Sequence, residues 1–368
     1  MRLMIPMLVV LIVLAGLALF YLVTRFHRFT CLKAMRNRAL SWLLAVLPVA
    51  AVACFAFINI PTMVVVFLHL IIIWLLCDLV IFAVVRIRKK PFRRYYQGIA
   101  ALVITLVYLG AGWFFAHHIF QTDYAFTTEK DLGTQSVRIV EIADAHLGVT
   151  LDRENFPELI SRIQNTDPDL VVIVGDFVDD DSGREDMLAA CRALGKLDTT
   201  YGVYFVFGNH DEGYFRYRDF TAQELRTALA QNSVTVLEDE SVLIGDSFYL
   251  IGRKDRSSRD RADAQTLVSG LDRSKYMILL DHQPNDYAAE AEAGVDLVLS
   301  GHTHGGHIFP AGLIGEATGT NDKTYGTQRR GNTTFVVTSG VSGWAIPFKT
   351  GTISEFVVID IITGQQQS

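Results

Sequence analysis

The sequence predicts an α/β domain carried behind four membrane-spanning helices, and three observations predict it. Four apolar blocks crowd into the first 118 of 368 residues. Beyond residue 135, short β-rich runs alternate with helix-like stretches, a pattern of α/β domains. Five of those runs close on aspartate, asparagine or histidine.

The apolar blocks cover about 3–24, 40–59, 62–85 and 97–117. Each is about 20 residues, which as a helix rising 1.5 Å per residue crosses a ~30 Å hydrocarbon layer. A soluble bundle would need a polar face every 3.6 residues, and "MVVVFLHLIIIWLLCDLVIFAVV" (63–85) offers almost none. The first block has no small-residue cleavage site and runs into Arg25, so it reads as an anchor and not a removed signal peptide.

Loop charge sets the expected orientation. Residues 25–38 carry Arg25, Arg28, Lys33, Arg36 and Arg38; residues 86–94 carry Arg86, Arg88, Lys89, Lys90, Arg93 and Arg94; the loop 59–61 carries no charge. Basic loops face the cytoplasm, which puts the amino terminus and everything after the fourth helix outside. At membrane depth, His69 and Asp78 are nine residues apart, about 900° of helix, so they face opposite sides. They are expected to be hydrogen-bonded within the bundle; a transporter role would rest on these two alone.

The expected layout is a membrane domain over 1–118, a linker over 119–135 and a second domain over 136–368. Cys31, Cys54 and Cys77 fall in or beside the apolar blocks, leaving Cys191 alone in the rest, which excludes a disulfide or CxxC site there. From residue 97 onward, 21 Lys and Arg face 38 Asp and Glu, a formal −17. Such a domain repels polynucleotides, which argues against a nucleic-acid partner. A glutamine tail (365–367) is the one low-complexity tract.

The β-rich runs are 137–143, 169–175, 201–208, 276–280 and 295–301, with helix-like segments at 153–165, 183–196, 220–231 and 285–293. They end on Asp144 and His146; Asp176 and Asp179; Asn209, His210 and Asp211; His282; and His302 and His304. In open α/β sheets, reactive groups gather at the carboxyl ends of strands. All six histidines after residue 118 (146, 210, 282, 302, 304 and 307) lie on these post-strand segments. Imidazole, carboxylate and amide oxygen suit divalent Mn, Fe, Zn or Mg. The ligands outnumber the needs of one ion; two ions sharing a carboxylate would use them and would stabilise in-line displacement at phosphorus.

"DAH" (144–146), "GDFVD" (175–179), "GNHD" (208–211), "DHQP" (281–284) and "GHTH" (301–304) resemble, in order and spacing, the motifs of the calcineurin-like metallophosphoesterases. The resemblance covers about 135–362 and is nearest to the bacterial membrane-associated branch with a GHTHGG-type last motif. It implies a four-layer sandwich: two mixed β-sheets flanked by helices. It further implies that Asp144, His146 and His304 hold one metal, that Asn209, His282 and His302 hold the second, and that Asp176 bridges them. His210 then protonates the leaving group and Asp179 orients it. Ala143 and Ala145 stand where the family has Ser and a larger apolar residue, and His307 replaces a usual Gln. Asp180 and Asp211 stand where phosphoprotein phosphatases carry Arg and Glu, which argues against that activity.

The implied function is a membrane-anchored, binuclear-metal phosphoesterase or phosphodiesterase. It would cleave phosphoester or pyrophosphate bonds through a metal-bridging hydroxide, on a phosphorylated small molecule, lipid or cell-envelope substrate. The expected setting is a bacterial cell membrane with the catalytic domain extracytoplasmic. The alternative is a non-catalytic metal-binding scaffold or sensor, which would ordinarily lose ligands that this chain keeps. No protein partner is implied, and no residue is assigned to substrate binding. The basic cluster Arg253, Lys254, Arg256, Arg259 and Arg261 reads as a solvated loop or a phosphate cradle, and "GWAIPF" (343–348) as core or as an apolar surface.

Overall fold

The computed structural model describes residues 4–214 and 218–364; the glutamine tail lies outside the described residues. The chain divides into two compact units, Met1–Ala111 and Gly112–Ser368.

The first unit is helical: α1 (Met4–His27), α2 (Arg38–Ala53), α3 (Ile60–Arg88) and α4 (Tyr96–His117), whose last six residues belong to the second unit. Asn59 starts α3 by accepting the Thr62 amide, with Pro61 in the first turn where no amide donor is needed. Leu22, Ala45, Trp74 and Ala101 pack in the interior, while Leu43, Leu68, Phe82 and Leu106 are exposed, a surface suited to lipid. Among the described residues three helices are long and apolar enough to cross a membrane: Arg38–Phe57, Ile60–Arg88 and Tyr96–His117. The sequence reading expects four; among the described residues the first helix contributes the shorter apolar segment Ile12–His27. Asp78 pairs with Arg25 Nε at 2.6 Å and accepts the Tyr21 hydroxyl, and His69 Nδ1 meets the Val65 carbonyl at 2.8 Å. Both polar groups are therefore satisfied inside the bundle.

The second unit holds two six-stranded mixed sheets. Its strands are β1 (Ile119–Thr128), β2 (Ser136–Ile142), β3 (Leu170–Val174), β4 (Val203–Val206), β5 (Val234–Val236), β6 (Glu240–Ile244), β7 (Phe248–Gly252), β8 (Tyr276–Leu280), β9 (Leu297–Ser300), β10 (Gly326–Arg330), β11 (Thr333–Val337) and β12 (Ser354–Thr363). One sheet runs β1-β12-β2-β3-β4-β5 and the other β10-β11-β9-β8-β7-β6. The central strands are parallel and buried on both faces, which is why "LVVIV" and "YMILL" are unbroken apolar runs.

The pleat sorts those residues into layers. Leu170, Val172 and Val174 face the other sheet and meet Leu250, Ile278, Leu280 and Leu299. Val171 and Ile173 point the other way, onto the helices α5 (Phe156–Gln164), α6 (Arg184–Leu194) and α7 (Ala222–Gln231). Ile251, Met277, Leu279 and Val298 face outward from the second sheet to meet Tyr287 and Ala293 of α8 (Tyr287–Ala293). The result is helix, sheet, sheet, helix.

One stretch differs from expectation. Residues 119–135, expected to be a linker, contain the ten-residue strand β1, paired in parallel along its whole length with β12. Its partner lies 235 residues away, so nothing local announces the pairing.

Candidate metal centre

The polar groups that end β2, β3, β4, β8 and β9 converge at one edge of the sandwich. Asp144, His146 and His304 bring one ligand atom each within 4.8 Å of one another, as do Asp176, His282 and His302. A further group of this kind joins His146, Asp179 and His210. Asp176 Oδ2 lies 3.1 Å from His282 Nε2 and 3.7 Å from His146 Nε2, so a single carboxylate oxygen stands between the two clusters. Asn209 enters from the end of β4, its amide nitrogen donating to the Tyr214 hydroxyl and its oxygen accepting from Gln283 at 3.4 Å.

The backbone is bent to achieve this. Asp144, His146, Asp176, His302, His304 and His307 all adopt left-handed backbone, with φ from 36° to 70°. Such residues are uncommon outside glycine, and the surroundings must hold each against roughly 1–3 kcal/mol. Gly175 (φ 78°) and Gly208 permit the closest approach: a Cβ on Gly175 would lie 2.8 Å from Gly208 Cα.

Hydrogen bonds fix which nitrogen each histidine offers. A carbonyl can only accept, so His282 Nδ1 donates to the Val174 carbonyl (2.8 Å) and His304 Nδ1 to that of Ser342 (3.2 Å), and each turns Nε2 to the cluster; burial opposes charge on His282, but Asp176 and Asp144 raise its pKa well above the imidazole range. His282 Nε2 and both ring nitrogens of His146 are buried beside carboxylate oxygens of Asp176 and Asp179 at 3.1–3.7 Å, and among the described residues His302 Nδ1 is buried without a hydrogen-bond partner. Unpaired buried nitrogens are rare, and buried nitrogens in a cluster with carboxylates fit a cation. Burial and the neighbouring His282 hold His302 down at about 4, and burial together with His146 holds His304 well below the imidazole range. Both are neutral ligands at pH 7. Burial pushes Asp144 up to about 6 against the opposing charge of His282; burial would also raise Asp176, but His282 and His146 outweigh it and bring it below the carboxylate range.

His210 Nδ1 lies 2.9 Å from Asp179 Oδ1, and its amide donates to Asp176 Oδ1 at 2.8 Å. Burial opposes its charge, yet the Asp179 hydrogen bond and the Asp176 charge raise its pKa. These carboxylates favour the protonated imidazole.

Two residues hold the site together in ways the sequence does not announce: Asp211, which the sequence places after a strand without this role, and Lys349, which it does not single out. Asp211 accepts the amides of Asp176, Phe177, Val178 and Gly208 at 2.8–3.0 Å. Lys349, fully buried, donates to the carbonyls of Ser339, Gly340 and Ile353. The basic cluster at 253–261 is partly internal: Arg253 is buried against Asp281, Asp286 and Glu290, Arg261 pairs with Asp281, and Lys254 with Asp260. These cations serve their own carboxylates and do not form an open phosphate cradle. In "GWAIPF", Phe348 is buried, whereas Trp344 is exposed and lies 5.6 Å, ring to ring, from His210.

This constellation, on this sandwich, defines a class of metal-dependent phosphoesterases. A family model for calcineurin-like phosphoesterase matches residues 137–306. An uncharacterized metallophosphoesterase of Aquifex aeolicus is 35% identical over 196 residues, 51% of this chain and 71% of that protein. Another, of Helicobacter pylori J99, is 31% identical over 238 residues, 63% of this chain and 61% of the relative. A Danio rerio transmembrane protein with metallophosphoesterase domain is 32% identical over 238 residues, 61% of this chain and 52% of the relative. The chain spans only 52–61% of the length of the first curated relatives it matches. The chain belongs to the calcineurin-like phosphoesterase family.

Proposed function

We propose that the chain is a membrane-anchored phosphoesterase that hydrolyses phosphoester or pyrophosphate bonds with two divalent cations. The observation that carries this is the place of Asp176 Oδ2 between His282 Nε2 and His146 Nε2, each within 3.7 Å. Asp144, His146 and His304 would hold one cation, Asn209, His282 and His302 the other, and Asp176 both. When bound, the pair would supply charge stabilisation at phosphorus and a water nucleophile at neutral pH, as Mn, Fe, Zn or Mg can.

The protein's own groups do the rest. Water oxygen bonds to phosphorus while the ester P–O bond breaks; one proton must reach the leaving oxygen. His210 carries that proton, since Asp179 fixes its Nδ1 side and leaves the other ring nitrogen toward the cleft that His210 lines. Asp179 acts as a positioning residue. Its pKa, which burial alone would raise, is brought well below the carboxylate range by hydrogen bonds from His146 and His210, so it stays ionised.

In this reading the membrane domain (1–118) contributes four spans, with α1 as the fourth because its helix runs 24 residues. The loop charges support a catalytic domain, β1 included, outside a bacterial cell membrane.

The test is hydrolysis of bis-p-nitrophenyl phosphate with added manganese. Turnover is expected, with His210→Ala reducing it about 10²- to 10⁴-fold while metal content is kept. Metal-loaded protein inert toward a panel of phosphoesters would contradict the reading and leave a scaffold or sensor.

A further inference from the structure

The metal edge of the sandwich is also the edge at which α4 enters it. β1 begins two residues after His117, and Ile119 pairs with Ser354, the first residue of β12. Because β12 runs antiparallel to β2, with Val357 opposite Glu141, the start of β1 lies beside the carboxyl end of β2, three residues before Asp144. Within this unit the last turns of α4 are fastened to the segment 349–354. The Lys349 amide donates to the Gly112 carbonyl at 2.9 Å and Ser354 Oγ to that of Ala116 at 3.0 Å. The same segment holds the loop after the last histidine motif. The amides of Thr350 and Gly351 both donate to the His307 carbonyl, and Thr350 Oγ1 accepts the Phe309 amide. One short stretch thus ties the end of a helix long enough to span a membrane to the rim of the metal cleft.

That rim is apolar and uncovered. Phe309, Leu313 and Ile314 are 56–64% exposed, and helix α9 (Ala311–Ala317), which bears the last two, buries none of its residues. Its one charged residue, Glu316, is exposed and accepts the Thr324 amide. Trp113 and Phe114, on the last turns of α4, are also exposed, as aromatic side chains at a membrane interface are. The cleft itself, about 480 Å³, runs from Asp176, His210 and His302 to Ile308, Trp344 and Ile346. It is polar where phosphorus would sit and apolar toward the rim.

We propose that Phe309, Leu313 and Ile314 form a lip seated in the headgroup layer of the membrane that α4 spans, and that the cleft takes the phosphoester or pyrophosphate of an amphiphilic lipid directly from that layer. The occupant is a membrane lipid because the lip is continuous with the end of a spanning helix, presents three large exposed apolar side chains, and opens into a cleft of matching polarity. The chemistry in this proposal rests on the phosphoesterase reading above; the membrane contact does not.

Two measurements on the full chain in nanodiscs of phosphatidylethanolamine and phosphatidylglycerol keep the two apart. With Cys31, Cys54 and Cys77 replaced by Ser, a fluorophore is placed at Leu313→Cys or at Asn165→Cys, an exposed position before the amino end of β3 and so at the opposite edge of the sheet. Headgroup-nitroxide lipids should quench the label at 313 and spare that at 165. Absence of quenching at 313 overturns the lip. In the second, the double variant Leu313→Ser/Ile314→Ser should hydrolyse bis-p-nitrophenyl phosphate within about twofold of the parent. It should lose about tenfold or more on a fluorescent phosphodiester amphiphile embedded in vesicles, the scale of withdrawing two aliphatic side chains from lipid. Equal effects on both substrates overturn the delivery of substrate from the bilayer. Quenching at 313 without hydrolysis of either substrate would keep the lip and sink the phosphoesterase reading.

Discussion

Asp211 holds Asp176 in place through the backbone: its Oδ2 accepts the Asp176 amide at 2.9 Å and the Gly208 amide at 2.8 Å, binding the end of β3 to the end of β4. Its Oδ1 accepts Phe177 and Val178. Both oxygens are needed as acceptors, so Asp211→Asn turns an NH₂ group against two amide donors. A loss of about 2–4 kcal/mol is expected, read as an apparent melting temperature lower by roughly 5–10 °C, with metal affinity falling in parallel. An unchanged melting temperature would show that the four amides have other partners.

The buried nitrogens of His146, His282 and His302, gathered around the carboxylates of Asp144 and Asp176, predict a ligand-dependent stability. Adding manganese to chelator-stripped protein at about 100 times its Kd should stabilise the fold by about 2.7 kcal/mol per independent site. The gain should be largely absent in Asp176→Asn. Calorimetry or dye-monitored melting in detergent, with and without metal, measures it.

Lys349 gives the pH dependence a sign. Burial pushes its ammonium down to about 7, with Asp144 and Glu355 pulling the other way, whereas an unfolded lysine titrates near 10.4. Between those values the unfolded chain holds a proton that the folded chain has released, so this residue's contribution to stability rises with pH from 7 to about 10 and is flat below 7. Lys349→Met lacks that rise and orphans the carbonyls of Ser339, Gly340 and Ile353. Melting of parent and variant from pH 6 to 10 should diverge as pH increases; parallel curves would contradict the assignment.

The parts of this molecule that were legible in the sequence share one cause. A parallel strand buried on both faces must be a continuous apolar run, and the side chain after its last residue is delivered to the sheet edge. So β2, β3, β4, β8 and β9 announced themselves together with Asp144, Asp176, Asn209, His282 and His302. What escaped depends on distant pairing. After Ile119, β1 alternates exposed and half-buried residues and takes its place in the sheet from β12. Asp211 and Lys349 act on backbone groups contributed by other segments, which leave no periodic trace. The arginines at 253 and 261 looked like a surface cluster because their carboxylate partners, at 281, 286 and 290, come from the next strand and helix.

The central claim is a pair of cations around Asp176, and manganese reports it most directly. Protein reconstituted with Mn²⁺ should bind two ions per chain by elemental analysis and show the exchange-coupled electron paramagnetic resonance signal of a bridged pair, with Asp176→Asn losing the coupling. One ion per chain, or two ions with uncoupled spectra in the parent protein, would contradict the account.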